Sequence, residues 1–197
     1  MSTPILLARH AAHAEIGRIL SGRHTGVPLN EEGRRQAERL AHMLEGRGIV
    51  AIQCSPQRRA RETAEIIAAR LARDIEIVDA LDEVDFGGWS GRRFDELEQD
   101  SAWRRWNAER ASAATPGGET MAQAVARVVA HLEQLAAARR GTVLCVSHCD
   151  IIRGTLAHYL GLGFDNLLRF DIDPASLSAL AVGEWGGRVT LLNAVAA

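Results

Sequence analysis

The stretch TVLCVSHCDIIRGTLAHYL, residues 142–160, decides the reading of the fold. Residues 142–147 form an apolar run too short for a helix, which predicts a strand buried on both faces. The strand ends at His148, and residues 151–160 predict the helix that returns from it. Upstream, Met121, Ala124, Val125, Val128, Val129, Leu132 and Leu135 recur at helical spacing behind a Pro116-Gly117-Gly118 break. The same strand-then-helix rhythm opens the chain. Residues 4–8 are a short apolar run ending at Arg9-His10, and Ala37, Leu40, Ala41 and Leu44 mark an amphipathic helix beginning near Asn30. Residues 49–54 predict a second strand. Ser55-Pro56 then offers an N-cap and a first-turn proline for a helix reaching about Ala72. A strand at 75–78 leads into LDEVDFGGWSG, residues 81–91, whose glycines break any period. Residues 92–110, with Trp103 and Trp106, predict one or two short inserted helices, and with their flanks (about 90–118) a lid. Apolar runs at 167–172, 177–182 and 189–192 predict the strands of a terminal meander. The expected fold is a single α/β domain over 1–197, a three-layer α/β/α sandwich with a mainly parallel sheet and an antiparallel edge.

Bulk properties narrow the function. At 197 residues one core is expected, burying roughly 70% of the unfolded surface. A composition of 47% hydrophobic and 24% charged residues is that of an ordinary globular domain. The net charge of −2 gives no overall electrostatic reason to bind nucleic acid or an anionic membrane. Cys54, Cys145 and Cys149 are odd in number and lack CxxC spacing, which argues for reduced thiols. The first residues lack the basic region of a signal peptide, and no apolar stretch reaches the roughly 18 residues of a membrane span. A cytoplasmic location is expected, and homo-oligomers are left open.

In open α/β sheets, ligands collect beyond the carboxyl ends of the strands. There the sequence places Arg9-His10, Arg58 and Arg59, and His148. Guanidinium groups and the backbone N–H after His148 suit a phosphate. One neutral imidazole can act as nucleophile while the other, if protonated, stabilises phosphoryl oxygens. An alkoxide leaving group needs a proton, for which Glu83 is the candidate donor, with Asp82 and Asp85 as neighbouring alternatives.

Four segments, in chain order, resemble the histidine phosphatase superfamily, also called the phosphoglycerate mutase-like family, over nearly the whole chain. LLARHA (6–11) resembles its Arg-His-Gly motif. SPQRRARETA (55–64) is similar to its Ser-Pro-x-x-Arg-Ala-x-x-Thr-Ala segment. LDEVDFGGWSG resembles its acidic loop, and VSHCDIIR (146–153) its second histidine motif. The resemblance implies a metal-independent, cofactor-free phosphoric monoester hydrolase of the histidine acid phosphatase type, acting on a small-molecule phosphate ester. It implies a phosphorylated His10, with Glu83 as proton donor and His148 as second histidine. Phosphate contacts would come from Arg9, from Arg59 rather than Arg58, and from the Cys149 backbone. Ala11 stands for the usual glycine, Ile16 for a common asparagine, and Cys149 for a second glycine. In Gly22-Arg23-His24-Thr25-Gly26, Arg23 and His24 lie where substrate-facing residues are often found in the family. His13, His42, His131 and His158 are read as surface or packing residues, as are the tryptophans. Glu119 is read as a helix-dipole residue.

Competing chemistries lack their residues. Cys-x5-Arg fails because Ala60, Ile151 and Thr155 stand six positions after the cysteines, and no GxxxxGK[ST] occurs. A zinc site from His10, His13 and His148 would set a cation against paired arginines. A cofactor-dependent phosphoglycerate mutase remains the rival within the family, disfavoured by the short stretch after the last strand. A non-catalytic phospho-ligand binding protein is the rival in a different class.

Overall fold

Alternation along β1 (Thr3–Arg9) sends Ile5 and Leu7 to one face of the sheet and Leu6 and Ala8 to the other. All four are buried, so the strand needs cover on both sides. In the computed structural model, which describes residues 2–24, 26–138 and 141–196, helices supply that cover. Thr25, in the expected specificity stretch, lies outside those residues. One layer is α1 (Glu31–Met43) and α2 (Arg58–Leu71), whose Ala37, Leu40, Ala60, Ala64 and Ile67 pack on Leu6, Ala8, Leu144 and Val146. The other is α5 (Met121–Ala138) and α6 (Cys149–Leu160), packed on Ile5, Leu7, Val143 and Cys145.

With β2 (Ile49–Cys54), β3 (Ile75–Ile77), β4 (Thr142–Ser147), β5 (Leu177–Gly183) and β6 (Gly186–Ala194), the sheet order is β3-β2-β4-β1-β5-β6. The first four strands in that order are parallel, and β5 and β6 are antiparallel to their neighbours. The expected three-layer sandwich with an antiparallel edge is therefore present.

Two local expectations are corrected. Residues 167–172 are no strand; Phe164–Arg169 is a 3-10 segment. β5 and β6 already fill the sheet positions beyond β1, and the carbonyls of Phe170 and Ile172 accept from Arg153 Nε and Arg9 Nη1 instead of a ladder. Nor does Ser55 cap α2, which starts at Arg58 after Gln57. The Ser55 oxygen accepts the Gln57 N–H at 3.2 Å, in the turn ahead of the helix, and its hydroxyl donates to Asp82 Oδ1.

The inserted helices α3 (Phe94–Leu97) and α4 (Ser101–Ala108) are pinned by aromatic packing. Trp103 meets Trp89 edge-on at 5.3 Å between centroids, and Trp106 is fully buried. Among the described residues no helix is long and apolar enough to cross a membrane.

Gly33 fixes the turn that follows β1. A Cβ there would sit 1.9 Å from the Ala12 carbonyl oxygen, which accepts the Asn30 N–H at 3.1 Å. Gly33→Ala must push the Ala11-Ala12 turn off α1. We expect a loss of about 1–3 kcal/mol in urea unfolding, against near-neutrality for Gly26→Ala, where no heavy atom lies within 4 Å of the added carbon.

Candidate active site

The parallel register brings three strand ends together. The N–H of His10, one residue past β1, donates to the Ser147 carbonyl at 2.9 Å, and the N–H of Ser55, one past β2, donates to Val146 at 3.0 Å. His148 is the N-cap residue of α6. The acidic loop is drawn over these ends because Ser147 Oγ donates to the Leu81 carbonyl at 2.7 Å. Its far side is clasped by the Pro-Gly-Gly turn: Gly87, at φ +52°, has the Pro116 oxygen 2.1 Å from where a Cβ would stand.

Hydrogen bonds orient both imidazoles. His10 Nδ1 lies 2.9 Å from the Ala11 carbonyl, which can only accept, so Nδ1 carries the proton. Nε2 then holds the lone pair, and Arg59 Nε donates toward it at 3.3 Å. Burial, then the charges of Arg59 and Arg9, hold His10 well below the usual histidine range, against a smaller opposing effect of the Ala11 bond. In His148 the order is reversed. Arg59 Nη2 donates to Nδ1 at 3.1 Å, leaving the proton on Nε2, which lies 2.7 Å from Ser55 Oγ. Burial, then Arg59, His10, Arg9 and Arg127, hold His148 well below the usual histidine range.

Arg59 is the hub. It is 2% exposed, and its Nη2 also donates to Gly22 O at 2.6 Å. Arg58, by contrast, points outward and pairs with Glu62 at 2.7 Å. Arg9 donates from Nη1 to Ile172 O at 2.6 Å. Of the three loop acids only Glu83 lines the cleft. Burial, then the charge of Asp150, pushes its carboxyl up to about 7, opposed by the Val84 N–H and by Arg59 and Arg9. At neutral pH it is therefore poised to hold or release a proton. The cleft has a volume of about 280 Å³ and combines Arg9, His10, Arg59 and Glu83 with an apolar wall that includes Phe86 and Trp103.

Residues 5–195 match the family description "Histidine phosphatase superfamily (branch 1)". The chain belongs to this superfamily. A relative from Mycobacterium tuberculosis, "Bifunctional protein Rv2228c", is 40% identical over 97% of the chain, which spans only 54% of that protein. "Phosphoserine phosphatase 1" of Hydrogenobacter thermophilus is 32% identical, covering 96% of this chain and 91% of its own. Among solved structures, mycobacterial glucosyl-3-phosphoglycerate phosphatase Rv2419c superimposes with a TM-score of 0.88 at 25% identity, over 98% of this chain and all of that one.

Within this superfamily frame, two expected specificity residues are not in the cleft. Arg23 turns to the acidic loop, donating to the Glu83 carbonyl at 2.8 Å and to Glu119 Oε2 at 2.8 Å. Four oxygens, counting Asp82 and Asp85 at 3.6 and 3.8 Å, hold it there. The His24 side chain is exposed, and only its carbonyl reaches Arg59, at 3.4 Å. Glu119 does more than favour a helix start: it also takes Arg127 at 2.9 Å and so ties α5 to the loop. Cys149 lines the cleft as the first residue of α6, where N–H groups lack helical partners. Burial pushes its thiol up to about 11.

His13, expected as a surface or packing residue, is packed at the cleft beside His10. It is 6% exposed, lines the cleft, and its ring centroid lies 5.2 Å from that of His10. The one available signal was its offset of three from His10. Asp150 and Arg110 also reach the cleft, paired at 2.9 Å between α6 and the inserted segment. Among the described residues no group of His, Cys, Asp and Glu is arranged to hold a metal ion.

Proposed function

We propose that this chain is a phosphomonoesterase of the histidine acid phosphatase type, hydrolysing a small phosphate ester through a phosphoryl group carried on His10 Nε2. The observation that carries the reading is the His10 tautomer, whose lone pair is fixed in an arginine-lined cleft by the Nδ1–H bond to Ala11. Arg9, Arg59 and the Cys149 N–H bind the phosphoryl oxygens. Nε2 attacks phosphorus, the N–P bond forms as the ester O–P bond breaks, and Glu83 gives its proton to the departing oxygen. Water then attacks the phosphohistidine, Glu83 takes its proton, and the N–P bond breaks to release phosphate. His148 stabilises the equatorial oxygens during both transfers. The inserted segment around 90–118 closes over the leaving group.

Phosphoserine and glucosyl-3-phosphoglycerate, esters named for two relatives, head the substrates to be tried, in the presence of a chelator. Alkaline quenching within a turnover should show one phosphoryl group on the peptide carrying His10, with no requirement for added divalent ion. Phosphate release without that adduct would sink the mechanism. Isomerisation of phosphoglycerate primed by bisphosphoglycerate, with no net release, would replace hydrolysis by mutase chemistry.

A further inference from the structure

Behind His148 lies a polar chain that the mechanism above does not use. Ser55 is 0% exposed, and Asp82 and Gln57 are 8% and 2% exposed. Ser55 Oγ accepts from the Gln57 N–H at 3.2 Å and from His148 Nε2–H at 2.7 Å, and its own proton goes to Asp82 Oδ1 at 3.2 Å. Asp82 Oδ1 also receives Gln57 Nε2 and the Glu83 N–H, each at 2.8 Å. The direction of the chain is forced. Arg59 can only donate, so His148 Nδ1 must accept, Nε2 must carry the proton, and the serine must pass its own onward.

We propose that Ser55 and Asp82 are positioning residues that accept the His148 Nε2–H, anchor the ring with Nδ1 facing the cleft, and supply the negative charge that lets Nδ1 gain a proton when a phosphoryl group binds. The identity of that anion rests on the phosphatase reading. The proton comes from the monoprotonated phosphate: its P–O–H bond breaks as the Nδ1–H bond forms, and Arg59 Nη2 moves its hydrogen bond from Nδ1 to a phosphoryl oxygen, leaving the dianion beside an imidazolium. The neutral Nε2–H tautomer offers Nδ1 only as an acceptor, which an unprotonated phosphoryl oxygen cannot use; the imidazolium donates. The charges around His148 set the balance. Arg59 from α2, Arg9 and His10 from the end of β1, and Arg127 from α5 oppose protonation of His148. Asp82, with its Oδ1 3.8 Å from Nε2, is the nearby carboxylate that favours it. The entering phosphate monoanion brings both the proton and one net negative charge to the opposite edge of the ring, and the dianion left after transfer pairs with the imidazolium.

The test uses nitrogen-15-labelled histidine in the full chain, titrated with inorganic phosphate and observed by NMR. In wild type, His148 should be the neutral Nε2–H form at pH 7 and become doubly protonated with phosphate. Ser55→Ala should keep the Nε2–H tautomer in the free protein, which Arg59 still enforces, but by cutting the link to Asp82 should hold His148 neutral in the phosphate complex to lower pH. Asp82→Asn should keep the tautomer, yet hold His148 neutral in the phosphate complex at least one pH unit further down. Both should lower kcat on the order of 10²-fold, with the pH profile displaced. A wild-type His148 that stays neutral with phosphate, or an Asp82→Asn complex that charges as readily as wild type, would overturn the proposal. Neither outcome depends on whether His10 is phosphorylated, which the quench experiment reads separately.

Discussion

His10→Ala lowers phosphate release by roughly 10⁴- to 10⁶-fold, the loss expected when the nucleophile of a covalent mechanism is removed. The phosphoenzyme signal disappears with it. The protein stays folded, because the imidazole makes one bond to the adjacent Ala11 carbonyl and one 3.3 Å bond to Arg59 Nε, and no strand or helix depends on either. Phosphate binding survives, because Arg9 and Arg59 keep their own anchors at Ile172 and Gly22. Inorganic phosphate should inhibit or protect the variant within a few-fold of wild type by calorimetry. A variant that binds phosphate yet keeps more than about one per cent of the wild-type rate would remove His10 from the mechanism; such a rate lies outside the range that loss of a nucleophile allows.

Glu83→Gln should move activity and stability in opposite directions. Losing the proton donor costs about 10²- to 10⁴-fold in kcat/KM for an alkoxide leaving group, and less for a nitrophenolate, which departs without a proton. Stability follows from linkage. Burial pushes the Glu83 carboxyl up to about 7 in the fold, against about 4.5 for an ordinary glutamate, so between those pH values the folded state binds the extra proton. Its contribution is present below about 4.5 and lost as pH rises through about 7, a swing of up to about 3 kcal/mol. Glutamine is neutral throughout. The stability of Glu83→Gln relative to wild type should therefore grow from pH 4 to pH 8 in urea unfolding, and the comparison cancels the opposite slope from His10 and His148, whose proton affinities are lowered by burial. The alkaline limb of kcat/KM near pH 7 should vanish with the carboxyl. Equal stability differences at both pH values would show that Glu83 titrates normally and is not the poised acid.

The sequence alone determined the layers and the strand ends. Buried parallel strands read as short apolar runs and their covering helices as stripes, so β1, β2, β4 and α5 were legible within a few residues. The tail was less so: an apolar run at 167–172 has no periodicity to separate a strand from a 3-10 segment, and only sheet positions already filled by β5 and β6 decide it. His10, Arg59, Glu83 and His148 could be picked out because their motifs sit at strand ends and loops of known chain order.

What only the tertiary structure decided is which atoms face one another. Which nitrogen of His10 carries the proton depends on a carbonyl one residue away, and that of His148 on an arginine 89 positions earlier. Arg23 looked like a substrate contact until four oxygens of the acidic loop and Glu119 were seen to hold it. His13 looked like filler until folding set it beside His10. Apolar periodicity is written locally because burial acts residue by residue along an element. Charge, tautomer and proton affinity arise from distances between segments far apart in the chain, and those exist only once the chain has folded.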